Sequence, residues 1–301
     1  MTSAPSRAPE GGRLRIGVIG AGRVGPVLGA RLAAAGHQVA TITSGSRPDR
    51  VRALLPRAAL LPTAAAVAAT DPQLLLLAVP DDALAGVVAQ LPAGRPDRVV
   101  GHTSGAHGLA VLRPAGGLPL ALHPAMTFTG QPGDLARLPG ISYGVTAPDR
   151  LRPFATRLVA DLGGNVEWVA EPDRPLYHAA LAHAANHLVT LVGEAADRLR
   201  QAGVGDPAGL LAPLLRAALD NTLRSGDAAL TGPVARGDAG TVAGHLRVLA
   251  QTAPESVPAY RELARRTVQR AVAAGRLTPA AAGPVLAALA EPELVPAGGA
   301  A

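Results

Sequence analysis

A few polar side chains stand out from a background of alanine, leucine and glycine. Tyr177, His178, His183, Asn186 and His187 fall on one predicted helix. At 100° per residue, His178 and Asn186 lie about 80° apart and ~12 Å along the axis, so they can border one cleft. His187 lies about 180° from His178 and cannot share the cleft on a straight helix. His183 and His187 have the i,i+4 spacing of metal ligands, but Ala184 stands where a zinc-protease helix carries glutamate, so no metal is expected. Two loops add candidate substrate-binding groups. In His102-Thr103-Ser104-Gly105, Ser104 can offer a hydroxyl to a carboxylate. In His123-Pro124-Ala125-Met126-Thr127-Phe128, His123 either bonds a ligand or fixes its own loop. Farther on, Gly232-Pro233 forces a turn. Thr231 and Arg236 are expected in an interhelical loop where a carboxylate can dock on the guanidinium. Asp238 should cap the next helix.

The element that must position this chemistry begins at residue 14. An apolar strand runs into Gly20-x-Gly22-x-x-Gly25 and then an Ala/Leu-rich helix. Gly20 permits the turn off the strand, Gly22 lets a pyrophosphate approach the backbone, and Gly25 lets the helix lie close on the sheet. Arg23 and Val24 belong to the same turn. The helix N-terminus then offers free N–H groups to an anion. Pro26 must fall in the first helical turn, where a missing N–H is tolerated. The second strand ends without a carboxylate for the ribose hydroxyls and runs into Ser44-Gly45-Ser46-Arg47. Two hydroxyls and an arginine fork suit a 2′-phosphate, which favours NADP(H) over NAD(H). Val79-Pro80 after the fourth strand should pass near the cofactor, while Asp81 and Asp82 serve the start of the next helix.

Composition narrows the chemistry further. All 28 basic residues are arginine, so neither a Schiff base nor a lysine acid is available. With no cysteine there is no disulfide, thiolate metal site or sulfur nucleophile, which fits a reducing cytoplasm. The net charge of +6 is spread over scattered arginines without a basic run, so nucleic-acid binding is not expected. No apolar stretch approaches the roughly 20 residues of a membrane span. Residues 1–12 are polar, lack a signal-peptide segment and are expected to form a disordered arm. With aromatics at 2%, the core must be built from Ala, Leu and Val.

Strand signals fall near 14–19, 38–43, 58–61, 73–79, 97–103, 118–122, 141–146 and 165–169. Helical patterns alternate with them near 22–35, 49–55, 63–69, 81–91, 107–113 and 149–162. Leu74-Leu75-Leu76-Leu77 shows no alternation, as in a central strand covered on both faces. This pattern predicts an α/β fold, a doubly wound Rossmann-type parallel sheet over 13–171. Strand signals then stop. Helices near 175–201, 207–225, 238–252, 255–274 and 278–290 predict an all-α domain over 172–291, with Asp173 as a candidate N-cap and 292–301 as a tail.

Six motifs occur in order: Gly-Ala-Gly-Arg-Val-Gly, Leu-Leu-Ala-Val-Pro-Asp-Asp, His-Thr-Ser-Gly-Ala, Leu-His-Pro-Ala-Met-Thr-Phe, Tyr-His-Ala-Ala-x5-Asn-His-Leu and Leu-Thr-Gly-Pro-Val-Ala-Arg-Gly-Asp. Together they resemble a bacterial family that joins a Rossmann-like domain to a C-terminal helical domain of formerly unknown function. That family is similar in layout to pyrroline-5-carboxylate reductases and β-hydroxyacid dehydrogenases, and some members resemble an alternative class of ketopantoate reductase. The resemblance implies an NADPH-dependent reductase of a small 2-oxo acid, most concretely ketopantoate, working as a cytoplasmic homodimer in pantothenate synthesis. In the β-hydroxyacid pattern a lysine stands four residues before an asparagine. Counting back from Asn186 gives Ala182, so another group must protonate the product. His178 is the choice, since an imidazole donates near neutral pH and stabilises a developing alkoxide, with Asn186 orienting the oxygen; these two are the candidate catalytic residues. A protonated imine needs less help, which keeps cyclic-imine reduction open. A non-catalytic NADP(H)-binding regulatory protein is the remaining alternative.

Overall fold

The computed structural model describes residues 12–45 and 47–290. Apart from Gly12, the expected N-terminal arm lies outside them, as do Ser46 and the tail. The chain divides into two units between His187 and Leu188. The division falls inside a helix rather than at the expected boundary near residue 171, because the first turns of that helix are tied to the sheet by Arg174 and Tyr177.

In the first unit the order is β1 (Arg15–Ile19), α1 (Gly25–Ala34), β2 (Gln38–Thr43), α2 (Pro48–Leu54), β3 (Ala59–Leu61), α3 (Ala64–Ala69), β4 (Leu74–Leu77), α4 (Asp81–Ala89), β5 (Val99–His102), β6 (Leu118–Pro124), β7 (Ser142–Thr146), α5 (Arg152–Asp161) and β8 (Asn165–Trp168). The expected helix near 107–113 is a 3-10 helix, Leu109–Ala115. One eight-stranded sheet has the order β3-β2-β1-β4-β5-β6-β7-β8, reversing direction of growth at β1 and β4. Ligands of such sheets bind beyond the strand C-termini at that switch.

The sheet is not parallel throughout, because β7 runs antiparallel to β6. A parallel neighbour needs a crossover, usually helical. Residues 125–141 contain only a short 3-10 helix, Pro132–Arg137, so the chain turns back instead. Both sheet faces are covered. Leu74 and Leu76 face one apolar cluster with Val27, Leu28 and Phe154, and Leu75 and Leu77 face another with Val67, Leu84 and Val88. All four leucines are fully buried, as their unbroken run requires.

α6 (Arg174–Gln201) starts in the first unit and continues into the second. Asp173 does not cap it; the residue lies within a 3-10 turn, Glu171–Asp173, that leads straight into the helix. The second unit adds α7 (Pro207–Ser225), α8 (Pro233–Arg236), α9 (Ala239–Thr252), α10 (Val257–Ala273) and α11 (Pro279–Ala288). Val242, Leu246, Ala264, Val268 and Val285 form its core. Leu210, Leu214, Leu219 and Leu223 of α7 are exposed, the last at 77%. Asp238 caps α9 as expected, accepting from Thr241 N at 3.0 Å. Arg236 does not sit in a loop. It closes α8, a single helical turn set between Gly232 (φ +92°) and Gly237 (φ +80°). Among the described residues no helix is long and apolar enough to cross a membrane.

Candidate active site at the sheet edge

The glycine-rich turn has the geometry its residue types call for. Gly20 has φ +118°, and a Cβ there would run into the Ala78 carbonyl just past β4. A Cβ on Gly25 would collide with the Gly20 carbonyl and press on Val18 Cγ1 at 3.1 Å, so α1 can lie on β1 only without one. Nothing lies within 4 Å of the position a Gly22 Cβ would take, which leaves open space at the point where a phosphate would meet backbone. The turn is fastened to β2, since Gly20 N–H donates to Thr43 Oγ1 at 2.9 Å. The β2 tip also packs on it, with a Cβ on Gly45 coming 2.6 Å from Ala21 Cβ. Val24 stands at the α1 N-cap with no side-chain cap, Pro26 is in the first turn, and that turn carries no acidic residue, so its amides are left for an anion. Arg23, within this turn, and Arg47, at the α2 N-cap, are exposed, Ser44 is partly exposed, and Val79 and Pro80 lead from β4 into α4. Asp81 and Asp82 lie in the first turn of α4.

A cavity of about 250 Å³ opens beyond β6. Its polar lining is His123 and Thr127 from β6 and the following loop, with His178 and Asn186 from α6; Ala125, Ala182, Ala184, Ala185, Leu181 and Met126 complete it. Of the sequence-derived candidates, His123, His178 and Asn186 therefore meet. The His123 and His178 rings stand edge to face with centroids 5.8 Å apart. Gly105 makes this possible, because a Cβ there would come 2.5 Å from His178 Cδ2 and 3.1 Å from His123 Nε2.

Ser104 does not line the cavity. It is buried, its Oγ accepts the His107 N–H at 3.0 Å, and its carbonyl is bonded by Arg174. Its position fixes the loop that carries Gly105. Thr231 and Arg236 belong to the second unit, where both are exposed.

Three residues under the cavity carry roles that the sequence reading missed. Tyr177 OH lies 2.9 Å from His123 Nδ1, in space left by Gly144, the cross-strand partner of His123 on β7. Arg174 is fully buried and donates to Gly144 O, Thr146 Oγ1 and Ser104 O, tying α6 to β7 and to the β5 loop. No carboxylate pairs with it among the described residues; burial pushes its ionisation down, and the guanidinium remains charged. His102 accepts from Ser104 N–H at Nδ1 and so donates from Nε2 to Gly108 O. Burial, helped by the neighbouring His178 and Arg174 charges, pushes His123 down to about 4. Burial likewise brings His102 to about 4. Both are neutral imidazoles at physiological pH.

The segment after β6 joins the two halves of the edge. Ala125, Met126 and Thr127 line the cavity, and three residues later Gly130 packs on the Arg23 backbone of the glycine-rich turn.

Residues 2–124 match the Rossmann-like domain family, and residues 141–267 match a domain of unknown function, DUF2520. The chain thus joins a Rossmann-like domain to a DUF2520 domain, the combination its motifs resembled. No curated protein matches the sequence. Among solved structures, it is similar to a candidate NADP oxidoreductase from Bacteroides fragilis (20% identity, 85% of this chain and 98% of that one, TM-score 0.72). A reductive aminase from Aspergillus terreus, solved with NADPH and ethyl levulinate, is also similar (18%, 88% and 95%, 0.62). So is a pyrroline carboxylate reductase from Plasmodium falciparum with NADP bound (12%, 90% and 100%, 0.59). These likenesses establish the fold.

Proposed function

We propose that the protein is an NADPH-dependent reductase of a small carbonyl compound, most concretely a 2-oxo acid such as ketopantoate. The observation that carries this reading is the convergence of His123, His178 and Asn186 on one small cavity, whose wall continues into the glycine-rich turn. The turn fits a dinucleotide, with bare amides, open space at Gly22 and arginines beside it. Bound there, NADPH would supply the hydride for a substrate carbon. His178 would donate a proton to the substrate oxygen, and Asn186 would hold that oxygen in line. His123, neutral and fixed through Nδ1 by Tyr177, presents its other nitrogen to the substrate. Thr231 and Arg236, in the second unit, are proposed as carboxylate-binding residues on the strength of their motif alone.

A second reading, cyclic-imine reduction, is favoured by the same cavity. No lysine, arginine or carboxylate lines it, so a substrate that arrives already protonated asks less of this wall. The two separate on a panel of 2-oxo acids and cyclic imines, followed by NADPH absorbance with NADH alongside. Turnover of an oxo acid that fails in His178→Ala supports the first. Turnover of pyrroline-type substrates that survives the substitution supports the second. Tight NADPH binding without turnover of any member would leave a non-catalytic coenzyme-binding protein.

The apolar side chains exposed along α7 give a second copy of the chain an area to bury, and a homodimer is the proposed assembly. Light scattering at micromolar concentration should give about twice the 30.2 kDa chain mass.

A further inference from the structure

We infer that Arg50 is a coenzyme-selecting residue that grips the 2′-phosphate of NADP(H) together with Arg23 and Arg47, and that a turn built on Asp134 holds it in place. The inference rests on the NADPH reading above and concerns binding alone.

Arg50 lies in the first turn of α2, and Arg47 stands just before that helix at its N-cap. It is only partly exposed, and its Nε is buried without a hydrogen-bond partner. A Cβ built on Gly130 would stand 3.0 Å from Arg50 Nη1 and 3.0 Å from Arg23 Cα, so the guanidinium lies against the glycine-rich turn. Among the described residues, neither Arg23, Arg47 nor Arg50 forms an ion pair; the ion pair on α2 joins Arg52 to Asp49. A guanidinium held against a nucleotide turn with no carboxylate partner leaves its charge for an anion to meet. The pyrophosphate is already served by the amides at the head of α1. A phosphate monoester carries up to two charges and accepts several bonds from guanidinium forks. It is the part of the coenzyme that calls for these side chains.

The placement of Arg50 is enforced from the far side. Gly130 has φ +75°, a conformation favouring glycine. Asp134 is buried and accepts from Thr129 N at 2.8 Å, Gly130 N at 2.7 Å and Thr129 Oγ1 at 2.9 Å. Burial works against its charge, yet these hydrogen bonds outweigh it and hold the carboxyl below its usual range. Asp134 is thus a positioning residue that keeps Gly130 pressed on Arg50.

The test titrates NADPH, NADH, 2′-AMP and 5′-AMP into the full-length protein and into Arg50→Gln, read by coenzyme fluorescence and calorimetry. Loss of a charge-assisted contact should weaken NADPH and 2′-AMP about tenfold or more, with NADH and 5′-AMP within about twofold. Arg50→Lys should fall between. Asp134→Asn should weaken NADPH as well, and the double variant should be no worse than Arg50→Gln, because the two act through one contact. Equal weakening of NADPH and NADH, or unchanged NADPH affinity, would overturn the inference and leave the reductase reading intact. A wild-type protein that binds neither coenzyme would overturn both.

Discussion

At the scale of single residues, two imidazoles and an amide share a cavity walled largely by alanine. In the proposed reductase, His178 has no lysine to replace it. His178→Ala or Asn186→Ala is expected to lower kcat for an oxo acid by about 10²-fold or more with coenzyme affinity unchanged, as steady-state kinetics and NADPH titration would show. His178, Asn186 and His123 were legible from residue type and helical spacing. Ser104 was misplaced because its hydroxyl is consumed by the His107 N–H, a bond that depends on how the loop after β5 closes. Arg174 and Tyr177 escaped notice because what sets their roles is contact across the chain: Gly144 on β7 opens the space that Tyr177 fills, and Arg174 reaches three acceptors on two elements. One signal was available, for an arginine in the first turn of a helix opposes the helix dipole and so needs another reason to stand there.

The elements were more legible than the contacts between them. Unbroken leucines marked β4, the glycine spacing marked the join of β1 and α1, and Asp238 marked the start of α9. Even the reversed β7 left a trace, since no helical pattern separates it from β6; what spacing could not give was the direction in which the chain would return. The glycine-rich join is the most constrained of these elements. Gly25→Ala puts a methyl into the Gly20 carbonyl, with backbone on one side and Val18 on the other. It should cost about 1–3 kcal/mol of stability, seen as a lower denaturant midpoint, and abolish detectable NADPH binding.

Across the whole molecule, the buried histidines tie stability to pH. His102 and His123 sit near 4 in the folded chain against an ordinary 6.5. Between those values the unfolded chain takes up protons that the folded chain refuses, so acid favours unfolding. Stability should be constant with respect to these two groups above about pH 7, fall as pH drops from 6.5 toward 4, and flatten below, a profile that denaturant melts across this range would trace. His123→Asn should remove part of that slope without altering it elsewhere.

The short stretch from Ala125 to Gly130 belongs to both ends of the sheet edge, its first residues facing the cavity and its last the nucleotide turn. A coenzyme that braces Gly130 also steadies the wall at Thr127, three residues away. Occupancy should therefore follow a compulsory sequence, with the dinucleotide entering first and leaving last, and the smaller molecule meeting a finished surface only after its companion has arrived.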